Sequence, residues 1–255
     1  MTPLSVVIIT LNEEKNIERC ILSVLEIADE IVVLDSLSTD MTKEICLKHG
    51  VRFIEQPFLG YIEQKNKALE FAKYQHVLAM DADEALSEEL RDSIKRVKEN
   101  WHSDGYYFNR LTSYCGKWIR HTDWYPDRKL RLFDKTKGEW KGVNPHDSLR
   151  LKPYSSQTFL KGDLYHYSYP SITHHINVIQ NFSTISAREM YKLGIKARWP
   201  SVILHPTVKF FKSYFLKLGF LDGYYGFVIC VMTSFSTFMK YVKLHEFNRY
   251  RPLIK

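Results

Sequence analysis

The chain has 255 residues, 45% hydrophobic and 25% charged, a globular balance that excludes disordered and collagen-like architectures and suits one large domain or one domain with an appendix. Aromatics reach 14%, with 16 Tyr, 15 Phe and 5 Trp, a surplus that suits contact with flat rings, sugars or a lipid interface. The net charge of +7 is uneven: residues 192–255 set eleven Lys and Arg against Asp222 and Glu246, giving +9, while the first 191 residues carry −2.

Leu4–Thr10 is a continuous β-branched run, the pattern of a strand buried on both faces. Asn12 can then cap a helix whose apolar stripe is Ile17, Ile21, Val24, Leu25 and Ala28. Glu30–Asp35 reads as a second buried strand, and a polar turn leads into a helix ending near Gly50. Val51–Glu55 is a short third strand, followed by a helix over 62–73, a strand over His76–Met80 and a helix from Ser87 to Asn100. Strand and helix alternate four times in this stretch, which predicts an α/β fold with a parallel sheet and helices on both faces. From Gly105 to His166 the pattern predicts short strands and aromatic-rich loops, and Ser171–Leu193 predicts a helix.

The tail differs in composition. Gly223–Met239 is an uncharged run of seventeen residues flanked by lysines, at the lower limit for a bilayer span and diluted by Ser and Thr. The reading favours helices lying in the membrane interface over a span. The tail's charge points to an anionic partner, either phospholipid or nucleic acid. Large apolar residues among the charges, and the lack of an RNA- or DNA-binding signature, weigh against nucleic acid. The four cysteines, Cys20, Cys46, Cys115 and Cys230, have no metal or redox spacing and read as free thiols in a reducing compartment. The N-terminal stretch lacks a signal-peptide pattern, so a protein that is not exported is expected.

In a parallel α/β sheet, ligands sit beyond the carboxyl ends of the strands, so the informative residues lie at Thr10–Glu13, Asp35–Ser38 and Asp81–Glu84. Asp81 and Asp83, two apart at a strand end, can present both carboxylates to one Mg2+ or Mn2+ whose shell is completed by phosphate and water. Equally, Asp83 or Glu84 can cap the next helix. Asp35 can accept hydrogen bonds from a ribose or base, and Thr10, Asn12 and Glu13 can bond a pyrimidine. No dinucleotide fingerprint or P-loop occurs.

VVIITLNEEKNI, VLDSLSTD, EQKNKAL and AMDADE, in that order, resemble the donor half of the family 2 inverting glycosyltransferases, which have the GT-A fold. KLRLFD, VNPHDSL, LYHYSY and GFLDGYYGF resemble, more narrowly, bacterial enzymes that add β-glucose to heptose in the lipopolysaccharide inner core. The resemblance implies that Thr10, Asn12, Glu13 and Asp35 bind uridine and that Lys65 faces the diphosphate. It gives Asp81 and Asp83 to the metal, with Asp83 the direct ligand, and Asp147 to the catalytic base. Close relatives usually carry Glu where Asp147 stands. An inverting transfer needs a base separate from the metal carboxylates, and Asp147, in a loop after an aromatic strand, Asp127 and Asp134 are the candidates.

Arg128 and Arg131 can hold phosphates or lie on a solvated strand face. Trp118, Trp124, Tyr125 and Trp140 can stack on sugar or pack in the core. His146 and His166 can orient base or acceptor, or be hydrogen-bonded core residues. The expected organisation is a GT-A domain over 1–195, with a donor half at 1–100 and an acceptor half at 101–195. A basic amphipathic helical region follows at 196–255. The expected partners are a UDP-sugar, with UDP-glucose foremost, a lipid-linked oligosaccharide and an anionic membrane surface at the cytoplasmic face of the inner membrane. A polyprenyl phosphate or another surface glycan is the alternative acceptor.

Overall fold

The structure, a computed structural model, describes residues 1–143 and 146–250, with side chains at 1–142 and 147–250. The chain forms two compact units, Met1–Leu111 with Asp127–Tyr167, and Thr112–Pro126 with the residues from Ser168 onward.

The first unit begins with β1 (Leu4–Thr10), α1 (Ile17–Val24), β2 (Glu30–Asp35), α2 (Thr42–Lys48), β3 (Arg52–Glu55), α3 (Tyr61–Phe71) and β4 (His76–Asp81). It continues with β5 (Glu84–Leu86), α4 (Glu88–Glu99) and β6 (Gly105–Tyr114). After β7 (Lys117–Trp118), which belongs to the second unit, come β8 (Asp127–Asp134), β9 (Gly138–Val143), β10 (His146–Leu151) and β11 (Gln157–Tyr169). The main sheet runs β3-β2-β1-β4-β8-β6-β11-β5. Its first four strands are parallel, and β8 pairs antiparallel with both β4 and β6.

Alternate residues of β1 explain why the run is apolar throughout. Val6 and Ile8 enter one core with Ile17, Ile21 and Val24 of α1 and Leu90 and Ile94 of α4. Val7 enters a second core with Ala68 and Leu69 of α3, Phe133 and Trp140. A strand covered on both faces has no polar side to offer, so hydrophobic burial fixes its place at the sheet centre. Ser87 caps α4 by accepting a hydrogen bond from the Leu90 backbone N–H at 3.2 Å.

Three local expectations are corrected. Asn12 does not cap α1, which starts at Ile17; it adopts φ 55° and its side chain accepts the Thr39 N–H at 2.8 Å. The strands after Gly105 are not all short, since β6 has 10 residues and β11 has 13. Their charged and polar residues hid them: Asn109 and Arg110 of β6 are half-buried and Thr112 and Ser113 buried, so the strand shows no regular apolar alternation. Asp147 lies on β10, in a two-stranded hairpin with β9, not in a loop.

The second unit contains α5 (Ile172–Lys192), capped by Ser171, which accepts the His174 N–H at 3.1 Å. It continues with α6 (Trp199–Phe211), a π-helical turn at Lys212–Leu216, a 3-10 turn at Gly219–Asp222 and α7 (Gly223–Tyr250). Gly219–Tyr250 is long and apolar enough to cross a membrane by length and composition. Its cores are small: Tyr114, Ile119 and Ile229 form one, and Ala187, Ala197 and Leu244 another.

Candidate functional site

The carboxyl ends of β1, β2 and β4 gather the polar residues of the first unit. Register places Thr10 beside Asp35, and Asp81 beside Ile9. Asp35 is buried and accepts from Ser38, at 2.7 Å from its N–H and 2.5 Å from its hydroxyl. The Ser38 hydroxyl also accepts the Asn12 N–H at 2.8 Å, so the turns after β1 and β2 are laced together. The Thr10 hydroxyl is buried without a partner. Glu13 accepts from Asn16 at 2.8 Å. Burial, with the nearby charges of Asp83, Asp40 and Asp81, pushes its carboxyl up to about 7 against that hydrogen bond.

Lys65, on α3, is the hub between elements. Its Nζ lies 2.8 Å from Asp147 Oδ2 on β10, 3.3 Å from Asp81 Oδ1 and 4.4 Å from the centre of the Trp140 ring. Arg131, on β8, is buried; its Nη2 donates to Asp81 Oδ2 at 2.9 Å and Glu84 Oε1 at 3.1 Å. Glu84 in turn accepts the Asp81 N–H at 3.0 Å and lies 3.5 Å from Arg110. Burial opposes the charge on Asp81, but Lys65 and Arg131 outweigh it and hold the carboxyl well below its usual range.

The strand ends at Asp81, and β5 starts at Glu84, so Ala82 and Asp83 form a corner. The two carboxylates therefore meet different partners instead of projecting as an in-strand pair. Asp83 Oδ2 lies 3.2 Å from His166 Nε2 on β11, and the Asp83 carbonyl accepts the Tyr167 N–H at 2.9 Å. Burial raises Asp83, and the charge and hydrogen bond of His166 more than reverse this.

No group of three or more His, Cys, Asp and Glu that could hold a metal occurs among the described residues. The donor set nevertheless suits a divalent ion. Asp83 would supply oxygen and His166, on giving up the proton it shares with Asp83, nitrogen, a pairing Mn2+ accepts, and such ions commonly take remaining positions from phosphate and water.

The other sequence candidates lie apart. Asp134 pairs in register with His76, at the opposite end of β4 from Asp81, and is occupied by Thr136 and Gln75. Asp127 is held by Arg110 and Lys129. Arg128 is exposed beside the Tyr107 and Phe159 rings. Trp140 is buried beneath Lys65 and Arg131, and Trp124 stacks on Tyr169 at 4.9 Å in the second unit. The side chain of His146 lies outside the described residues.

Sequence reasoning missed Glu84 and Arg110 as members of the charge cluster. The signals were a third carboxylate directly after the Asp81–Asp83 pair and a lone Arg inside an aromatic strand.

The sheet and the charged cluster at its carboxyl edge fit an α/β enzyme of the glycosyltransferase class with the GT-A fold, and the family match shows that class. A family model described as "Glycosyl transferase family 2" matches residues 5–159, and the chain belongs to that family. It is similar to an uncharacterized glycosyltransferase of Rickettsia typhi, 32% identical over 97% of this chain and 88% of the relative. It is also similar to the lipopolysaccharide core biosynthesis glycosyltransferase LpsC of Rhizobium meliloti, 28% identical over 96% of this chain and 92% of the relative. Among solved structures, S. aureus TarS 1–349 is 16% identical, covers 100% of this chain and 93% of its own, and gives a TM-score of 0.46. Glucosyl-3-phosphoglycerate synthase from Mycobacterium tuberculosis, in complex with Mn2+ and UDP-glucose, is 24% identical, covers 44% of each chain and gives a TM-score of 0.36.

Proposed function

We propose that this enzyme transfers glucose from UDP-glucose, with inversion, to a heptose of the lipopolysaccharide or lipooligosaccharide inner core. The carrying observation is the Lys65 ammonium between Asp81 and Asp147, which links the donor edge of the sheet to a carboxylate on a later hairpin. The likeness to LpsC supports the core acceptor.

In this reading Thr10, Asn12, Glu13 and Asp35 receive the uridine. The partnerless Thr10 hydroxyl is a free polar group for that purpose. Arg131 holds Asp81 in place from behind, and Lys65 faces the diphosphate. Asp147 takes the proton from the acceptor hydroxyl as its oxygen bonds to the sugar C1 and the C1–O bond to UDP breaks, the electron pair leaving with UDP. Asp83, with His166 and Asp81 nearby, would hold Mg2+ or Mn2+, which neutralises charge on the leaving diphosphate.

Residues 1–100 serve as the donor half, 101–195 as the acceptor half and 196–255 as a membrane-associating region at the cytoplasmic face of the inner membrane. A polyprenyl phosphate or another surface glycan is the second reading of the acceptor for the same chemistry, and the apolar stretch Gly219–Tyr250 suits either lipid-anchored acceptor.

A panel of UDP-sugars, each offered a heptose-bearing core acceptor and a polyprenyl phosphate and read by mass spectrometry and anomeric NMR, tests the proposal. A β-linked hexose on heptose supports it. Transfer only to a polyprenyl phosphate selects the second reading, and no transfer to either overturns both.

A further inference from the structure

The second unit exposes apolar side chains in an ordered pattern. On α7, Tyr224, Phe227, Val231, Phe235 and Phe238 are all exposed. At 3.6 residues per turn these five fall within an arc of about 80°. On α6, Leu204, Val208 and Phe211 are exposed and fall within about 60°. Phe215, in the π-helical turn, extends this stripe and stacks on Phe211 at 5.8 Å.

The two stripes join. Phe210 lies 5.6 Å from Phe211 and 6.1 Å from Phe227, and Tyr214 lies 5.1 Å from Phe215 and 5.8 Å from Phe227. Ser234 donates to the Pro206 carbonyl at 2.8 Å, tying the helices further along. Exposed Arg198, Lys212 and Lys217 lie near the ends of α6 and its continuation. A face of rings bordered by cations complements a leaflet of acyl chains beneath anionic headgroups.

Both ends of α7 are tied to neighbouring residues of the second unit by buried polar groups. Asp222 is buried at its start and accepts the backbone N–H groups of Arg120 at 3.2 Å and His121 at 2.8 Å, while its carbonyl accepts from Lys117 at 2.7 Å. Gly226 packs so closely that a Cβ would sit 1.9 Å from the Gly219 carbonyl oxygen, which locks the 3-10 turn onto the helix. Near its far end, Lys243 is buried and donates to Gln180, Ser183 and Thr184 of α5 at 2.7–3.1 Å. A transmembrane α7 would draw these polar partners into hydrocarbon or break their bonds, each at a cost of kilocalories.

We propose that α6 and α7 lie flat in the leaflet, their joined aromatic stripes sunk to about the depth of the headgroup–acyl boundary, and that Gly219–Tyr250 does not cross the bilayer. The occupant of this face is an anionic phospholipid surface. The proposal deepens, and rests on, the reading of residues 196–255 as a membrane-associating region.

The test uses the full chain with an epitope tag at each terminus and sealed vesicles of phosphatidylcholine, alone or with phosphatidylglycerol. Wild type is expected to sediment with both and more tightly with the anionic mixture, salt weakening only the excess. The Val208→Ser, Phe211→Ser, Val231→Ser variant should lose at least about tenfold in partition while keeping its circular dichroism and UDP binding. On bound protein, external protease should remove both tags. Protection of one tag means a span and overturns the proposal, as does wild-type partition of the triple variant. A lipid-indifferent dimer that the same substitutions dissociate also overturns it, in favour of a second copy of the chain. UDP binding and transfer to a lipid-free heptose acceptor report separately on the catalytic reading. Vesicle binding by a protein that shows neither would overturn that reading while supporting the membrane face.

Discussion

Lys65 Nζ forms a 2.8 Å ion pair with Asp147 Oδ2, so the proposed base of this enzyme is held by the cation proposed to meet the donor diphosphate. Asp81 Oδ1 lies 3.3 Å from the same ammonium. A lysine drawn toward phosphate would leave Asp147 free to accept a proton. Donor binding would then ready the base.

Lys65→Met should therefore harm both halves of the cycle. It removes a charge from the diphosphate and leaves two largely buried carboxylates without their shared partner. UDP affinity is expected to fall about tenfold, and stability by about 1–3 kcal/mol. Lys65→Arg should recover UDP binding more than turnover, because a planar guanidinium replaces a point charge. Calorimetric UDP titration and thermal melts check this; unchanged UDP affinity in Lys65→Met would refute the diphosphate role.

Asp147→Asn should keep UDP-glucose affinity and lose at least ~10²-fold in rate, the scale of general-base removal. Asp134→Asn serves as the control, since Asp134 sits by His76 at the other end of β4. If the control loses as much as Asp147→Asn while both remain folded, the assignment of the base fails.

The first eighty residues were legible because each strand–helix unit follows one rule: apolar runs buried on both faces, then a polar strand end. Those ends placed Thr10, Asp35 and Asp81 at one edge of the sheet without coordinates. The contacts from later strands were not legible. Arg131 reaches Asp81 across fifty residues and Lys65 reaches Asp147 across eighty-two, and no local pattern encodes such pairings. A buried arginine also looks like a surface one in sequence. The tail showed its composition but not its geometry, because the stripes on α6 and α7 meet only through the turn that folds them together.

The metal prediction separates Asp83 from Asp81. Asp83→Ala and His166→Ala should each weaken Mn2+ binding in the presence of UDP, read by the loss of the free-ion EPR signal, and chelator should abolish transfer by wild type. Asp81→Asn should chiefly lower stability, because it leaves buried Arg131 with Glu84 alone. Mn2+ titrations of His166→Ala that match wild type would remove the histidine from the ligand set.

Acid stability offers a prediction independent of the active site. His175 is buried in the second unit among Tyr114, Trp124 and Tyr169, with its Nδ1 3.1 Å from the Tyr114 hydroxyl and His174 next in sequence. Burial, helped by the charge of His174, pushes its pKa from 6.5 down to about 4. The unfolded chain thus takes up this proton before the folded chain does. The stability that neutral His175 contributes is complete above pH 6.5 and declines as pH falls through 6.5 toward about 4, with a limiting slope of about 1.4 kcal/mol per pH unit. Glu13 has the opposite sign: its carboxyl is raised from 4.5 to about 7, so the fold gains from it as pH falls through that window. The two overlap, and only a difference between variants isolates the histidine. Urea midpoints of wild type and His175→Gln, compared from pH 7.5 to 4, should converge as pH falls, because glutamine keeps a polar contact for Tyr114 but cannot titrate. Parallel pH profiles for the two proteins would show that His175 binds its proton equally well in the folded and unfolded chains.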